Sequence, residues 1–220
     1  MIIGINGLIG SGKDEIAKII QYLDVKNTYK SEIFYKNFMD YNESKWKVKK
    51  WAGKLKQIAS ILTGIPIQNF ENQEFKKSQM ESMWGITYRE FLQRIGGEGF
   101  RDNVHKDIWV NALLIDYIPE RKQGGFERVV KSKEGIPIDF EYEVEYPNWI
   151  ITDTRFPNEA KAIKDRSGLL LRVIRPNVEK SLHSSEVSLD SYNFDYEIIN
   201  DGNIEDLIEK VKVFMNRCKL

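Results

Sequence analysis

Apolar residues along the chain follow two periods. Met1-Ile2-Ile3-Gly4-Ile5-Asn6 is a short continuous apolar run, the pattern of a parallel strand buried on both faces. Ile16, Ile19, Ile20 and Leu23 then fall at i, i+3, i+4 and i+7, one face of a helix. Trp46–Lys50 alternates and reads as a second strand. Leu55, Ile58, Ala59 and Leu62 repeat the helical spacing within Ala52–Leu62, which ends at Thr63-Gly64 before Pro66. Thr87-x-x-Glu90 is a capping box that starts a helix through about Ile95; Gly96-Gly97 closes it, and another helix runs near Asp107–Ile118 to Pro119. Phe140, Tyr142, Val144 and Tyr146 alternate with Glu141, Glu143 and Glu145. This half-exposed strand pairs with Phe126–Lys131 across Lys133-Glu134-Gly135, a β-hairpin inserted within Arg121–Asn148.

Three more buried strands follow: Trp149–Thr152, Leu169–Ile174 and Tyr196–Ile199. Helix Asn158–Lys164 lies between the first two. Asn203 caps a last helix with Ile204, Leu207, Ile208, Val211 and Phe214 on one face. Val25–Glu43, polar and aromatic, reads as a helix or loop covering one edge, and Ile65–Gly85 as irregular or partly helical. Strand–helix alternation of this kind means an α/β fold, a parallel sheet with helices on both faces. Ligands of such sheets sit beyond the C-terminal strand ends. The glycine-rich loop after the first strand, Asp153-Thr154-Arg155, Arg175 and Asn200-Asp201-Gly202 all stand at such ends and are expected to share one crevice.

The loop Gly7-Leu8-Ile9-Gly10-Ser11-Gly12-Lys13 fits the phosphate-binding pattern G-x-x-x-x-G-K, with the strand before it and the helix after it that the pattern requires. Glycines let backbone N–H groups turn toward a phosphate, and the helix adds the positive end of its dipole. Lys13 reaches the β- and γ-phosphates as a point charge. Asp14 stands where Ser or Thr normally binds magnesium. It either holds the ion, directly or through water, or is simply favourable at a helix N-terminus.

Composition narrows the partners. The 220 residues, 41% of them apolar, suit one compact domain with an appendage or two small ones. Lys+Arg equals Asp+Glu at 33 each, so no broad charge draws the chain to nucleic acid or an anionic membrane. One cysteine, Cys218, excludes an intrachain disulfide and suits a reducing cytoplasm. No segment is apolar enough to span a bilayer, and the core strand at Met1 leaves no room for a signal peptide.

Phosphoryl transfer needs cations around the moving group and a held magnesium. Lys13, Arg155 and Arg175 are the candidate catalytic cations, with Arg172 an alternate; Asp153 ends a buried strand, where a carboxylate typically grips magnesium through water, against the alternative that Asp153 and Arg155 are a plain surface pair. His183 reads as a surface residue, since an acceptor phosphate is already a nucleophile and needs no strong base. Arg89 and Gln93 share a helix face, with Arg101 just beyond. The Arg fork suits a phosphate and the Gln amide a base edge, against the alternative of a solvated face. Trp109 either stacks on a base or fills the core.

Several stretches together resemble the bacteriophage deoxynucleoside monophosphate kinases, a branch of the P-loop kinases. These are Gly7–Asp14, Ala52-Gly53-Lys54-Leu55-Lys56, Arg89–Gly96, Asp107-Ile108-Trp109-Val110, Asp153-Thr154-Arg155, Val173–Pro176, His183-Ser184-Ser185-Glu186 and Ile199–Gly202. The resemblance implies a P-loop fold and transfer from ATP to a dNMP with Mg2+. The glycine loop offers the ATP site at Gly7, Gly10, Ser11, Gly12, Lys13 and Asp14, with Asp14 and Asp153 the candidate magnesium ligands, and the resemblance implies Asn200 and Gly202 near the adenine. It also implies that Lys56, Arg89, Gln93, Trp109, Asp153, Arg155 and Glu159 hold the monophosphate, and Arg101 joins them by its place beyond the shared helix face. The 220 residues would form one kinase domain, with an acceptor-binding region at 52–118, a hairpin at 121–148 and a lid at 177–194. The hairpin reads either as decoration or as a homodimer contact. Two further readings stay open: another small-molecule P-loop kinase, of the dephospho-coenzyme A or phosphomevalonate type, and a nucleotide-dependent switch.

Overall fold

Ile2, Ile3 and Ile5 are fully shielded although successive strand residues point to opposite faces, so this strand has cover on both sides. The computed structural model describes residues 1–29, 43–80, 84–122, 125–176, 178 and 188–220. Strand β1 (Ile2–Gly7) leads into α1 (Lys13–Tyr29), followed by β2 (Trp46–Lys49) and α2 (Gly53–Thr63). A helical stretch comes next: a 3-10 turn at Ile67–Glu71, α3 (Gln73–Lys77), α4 (Tyr88–Arg94), a π-helical turn at Ile95–Arg101, and α5 (Ile108–Leu114). Four strands outside the main sheet follow, β3 (Glu120–Arg121), β4 (Glu127–Lys131), β5 (Pro137–Tyr142) and β6 (Val144–Glu145). The chain then returns through β7 (Asn148–Ile151), α6 (Pro157–Lys164), β8 (Leu169–Ile174), β9 (Tyr196–Ile199) and α7 (Ile204–Cys218).

The five-stranded sheet has the order β2-β7-β1-β8-β9 with all neighbours parallel, Ile3 aligned with Ile150 on one side and Leu169 on the other. On one face α1 and α7 bury Ile16, Ile19, Ile20, Val211 and Phe214 against Ile3, Ile5, Leu171 and Val173. On the other, Val110 and Leu113 of α5 and Ile163 of α6 pack with Ile2, Trp149, Ile151 and Leu170. Each such side chain contributes about 1.5–3 kcal/mol by leaving water. This is the expected α/β architecture, and it puts the glycine loop and the residues after β2, β7, β8 and β9 at one sheet edge. A third cluster, Ala59, Phe70, Met80, Tyr88 and Phe91, gives the helical stretch its own core beside that edge.

Two capped helix starts form as their sequences require. Thr87 and Glu90 exchange the reciprocal bonds of a capping box, and Asn203 does the same with Asp206. The stop expected at Gly96-Gly97 does not occur. Beyond Arg94 the helix widens into the π turn that carries the chain to Arg101. The reason is packing: a Cβ on Gly96 would lie 2.7 Å from Leu55 Cδ2, and the Gly96 carbonyl accepts Trp109 Nε1 at 2.8 Å. Here glycine permits a close helix approach rather than a chain reversal.

The inserted hairpin forms as expected. β4 and β5 pair antiparallel, Val129 opposite Phe140, with Gly135 in the turn at φ 80°, and β3 pairs with β6 at its base. Among the described residues it makes no ladder with the main sheet. Tyr146 stacks on Tyr117, which meets the Trp149 ring edge, and this pins the base. Val25–Glu43 and the lid stretch 177–194 fall partly outside the described residues, as do His183 and Glu186. Of the described parts, residues 25–29 continue α1 with Val25 in the core, and Leu189, Tyr192 and Phe194 pack on the sheet.

Candidate active site

The glycine loop closes by a turn, Ser11 N–H to the Leu8 carbonyl at 3.1 Å, and α1 begins two residues later. Gly12 is in the left-handed region at φ 100°, and a Cβ there would come within 2.5 Å of Asn200 Nδ2. Glycine thus serves twice, for the backbone angle and for Asn200, whose amide donates to the Ser11 carbonyl at 2.8 Å. Arg175 Nη1 donates to the Gly10 carbonyl at 3.1 Å. The ends of β8 and β9 therefore both grip the loop from one side. Lys13 Nζ lies 2.7 Å and 2.6 Å from the carbonyls of Gly7 and Leu8. Ser11 is fully buried, and its Oγ meets no hydrogen-bond partner among the described residues.

On the other side of the loop stands the end of β7. Thr152 Oγ1 donates to Asp14 Oδ1 at 2.7 Å. Asp153 accepts the N–H groups of Trp51 (2.8 Å) and Ala52 (3.2 Å), tying the start of α2 to the sheet. Burial raises the Asp153 carboxyl above its ordinary range, against those two donors and the charges of Lys56 and Arg155. Glu159 accepts N–H of Arg155 (2.7 Å) and Phe156 (3.1 Å) at the start of α6. Burial, then the Asp153 charge, lift it to about 8.

A cleft of about 910 Å³ runs from Gly10, Lys13 and Asp14 into the helical stretch. All eight residues expected to hold an acceptor line it: Lys56, Arg89, Gln93, Arg101, Trp109, Asp153, Arg155 and Glu159. Arg89 Nη2 donates to Gln73 Oε1 at 3.0 Å, and the Arg101 guanidinium sits 4.1 Å from the Phe156 ring centre. Trp109 is a core residue, 6% exposed, held edge-on to Phe100 with its indole N–H on Gly96; only its rim reaches the cleft.

Gly7, Ser11, Gly12, Arg175 and Asn200 form the back of the loop rather than the cleft wall. Gly202 packs beside Asp206 in the first turn of α7. Arg172 pairs with Asp190 at 2.7 Å and lies over Phe194, so it serves the fold there.

Three charged wall residues have no counterpart among the sequence expectations. Lys50 Nζ lies 2.8 Å from Glu71 Oε2, and Lys56 Nζ 2.6 Å from Glu71 Oε1. Although burial opposes it, the Glu71 bond and the charges of Asp14, Glu71 and Asp153 keep Lys50 above its usual value. Lys76 is pushed down to about 8 by burial and by the Lys56 and Arg89 charges. Lys50 follows β2 directly, so the strand-end rule that selected Asp153 and Arg175 also reaches it. Glu71 and Lys76 lie in polar helical turns with no periodic signal.

Residues 21–211 match the family model described as deoxynucleotide monophosphate kinase. The deoxynucleotide monophosphate kinase of Enterobacteria phage T4 is 24% identical over 136 residues, 61% of this chain and 47% of its own length. That of Escherichia phage RB69 is 23% identical over 160 residues, 70% of this chain and 56% of its own. A protein of Acanthamoeba polyphaga mimivirus, provisionally given the same activity, is 26% identical over 153 residues, 66% and 69% of the two chains. The chain thus spans about half the length of the two phage relatives. The glycine loop precedes residue 21, so its reading stands on its sequence pattern and geometry rather than on the family match.

Proposed function

Because the chain belongs to the deoxynucleotide monophosphate kinase family, we propose that it transfers the γ-phosphoryl group of ATP to a deoxynucleoside monophosphate, giving ADP and the diphosphate. The observation that carries this reading is one continuous cleft joining Lys13 of the glycine loop to Lys56, Arg89 and Gln93. Two phosphate-bearing substrates brought together there react as an intramolecular pair. An oxygen of the acceptor phosphate attacks the γ-phosphorus as the bond to the β–γ bridging oxygen breaks. Lys13 and Arg155 stabilise the charge on the transferring group, Arg175 braces the loop through the Gly10 carbonyl, and no general base is needed.

Magnesium fits the donors present. Such ions take one or two carboxylates and fill their shell with waters and phosphate oxygens. Asp14 offers an exposed carboxylate at the loop, and Asp153 a partly accessible one fixed by two backbone donors. When bound, the ion neutralises charge on the β- and γ-phosphates. Residues 52–118 form the acceptor-binding region, and 177–194 the segment that covers ATP, with Asn200 and Gly202 toward the adenine. The zero formal charge fits small-molecule substrates in a cytoplasm rather than nucleic acid.

The test is ADP formation with ATP and magnesium against a panel of dNMPs, NMPs, dephospho-coenzyme A, phosphomevalonate and a no-acceptor blank. Turnover confined to certain dNMPs is expected. Equal slow hydrolysis in every well would overturn the kinase reading in favour of a switch.

A further inference from the structure

Glu71 ends the 3-10 turn with its carboxylate spanning two ammonium groups, Lys50 at 2.8 Å and Lys56 at 2.6 Å. Lys50 also lies 3.7 Å from Asp14, so the bridge reaches from the glycine-loop helix to the acceptor end of the cleft. Lys76 lines the same wall and interacts electrostatically with Lys50, Lys56 and Glu71. Two lysines thus grip one carboxylate, with a third nearby, beside the loop that would hold the donor. Two oxygens gripped by two lysines have the form of one edge of a phosphate.

We propose that Glu71 is an internal competitor for the seat of the acceptor's phosphate: it occupies Lys50 and Lys56 until a phosphate dianion displaces it, and Lys76 completes the cation set. The inference rests on the kinase reading and adds to it the three residues Lys50, Glu71 and Lys76. Mobility favours the exchange. The Glu71 side chain is 46% exposed and has a path to solvent, whereas that of Lys56 is 11% exposed and stays in the wall. A phosphate also satisfies more of the cations than a carboxylate can, because it carries more charge and a third free oxygen. Seated between Lys50 and Lys56, it would lie next to Asp14 and the glycine loop, as transfer requires.

The sign of one substitution separates this role from a structural one. Glu71→Gln removes the competing charge but keeps the shape. Calorimetric titration with 2-deoxyribose 5-phosphate, which carries the phosphate without a base, is expected to tighten about fivefold in Glu71→Gln. The acceptor KM should fall in parallel while the ATP KM holds. Glu71→Asp, too short to span both lysines, should fall between the two, and Lys76→Met should weaken binding about tenfold. Weaker or unchanged binding in a folded Glu71→Gln protein overturns the proposal, as does a wild-type protein that does not bind the sugar phosphate. Tighter binding without dNMP turnover by the wild type would instead retire the kinase reading and leave the phosphate seat standing.

Discussion

Lys13 holds its ammonium 2.7 Å and 2.6 Å from two carbonyls of its own loop, a neutral substitute for phosphate oxygens. Ionised acceptors form roughly twice as strong a bond, so the side chain exchanges partners at small cost when a triphosphate arrives. Lys13→Ala should therefore leave the melting temperature nearly unchanged and reduce kcat about 10²–10⁴-fold. Circular dichroism melts beside steady-state turnover check both halves. Lys76 gives a second residue-level expectation. With its value near 8, it is a cation below that pH and neutral above it. The groups acting on it are Lys56 on α2, Arg89 on α4, Lys50 after β2, and Glu71, which its two lysines hold below the usual carboxylate range despite burial. An acceptor phosphate is already a dianion at pH 8, so the acceptor KM should rise as pH passes 8. Glu159 also titrates near 8 in this cleft. The comparison that assigns the effect is Lys76→Met, whose KM should exceed that of the wild type below pH 8, converge on it above, and lack the Lys76 inflection.

At the scale of elements, the π turn after α4 shows where sequence reading succeeds and where it stops. The capping box fixed the start of α4 because two named side chains form it locally. The end was not legible. A Gly-Gly pair most often marks a helix stop, and only the neighbouring Leu55 and Trp109 reveal that these glycines are there for close approach. Gly96→Ala should cost about 1–3 kcal/mol by forcing Leu55 aside. Because Leu55 lines the cleft, the same change should raise the acceptor KM and leave that for ATP alone. Denaturant midpoints and two-substrate kinetics measure the pair. The site follows the same division. Strand-end logic foretold that the loop, Asp153, Arg155, Arg175 and Asn200 would meet at one edge, since parallel strands all end there. Glu71 and Lys76 depend on how a polar, aperiodic stretch folds around Phe70 and Tyr88, and tertiary packing alone decides that.

For the molecule as a whole, the hairpin tests how far the kinase core stands alone. Among the described residues β4 and β5 pair only with each other, and Val129, Phe140 and Tyr142 on them are 40%, 48% and 36% exposed. Two isolated strands contribute little to global stability. The base is different: Tyr117 and Trp149 pack there into the core face that also holds α5 and α6, and Tyr146 stacks on Tyr117. Arg121 and Val144 are paired across the base, so a short Asn-Gly turn can replace residues 122–143 and keep those aromatics. The shortened protein should melt within a few degrees of the full chain and turn over ATP and acceptor within about twofold of it. The cleft residues all lie outside the removed segment, so the active site itself should not sense the change. A protein that melts normally but has lost acceptor turnover would contradict this and make the hairpin part of the working enzyme. Differential scanning calorimetry and the ADP assay, run on the same preparation, decide between the two.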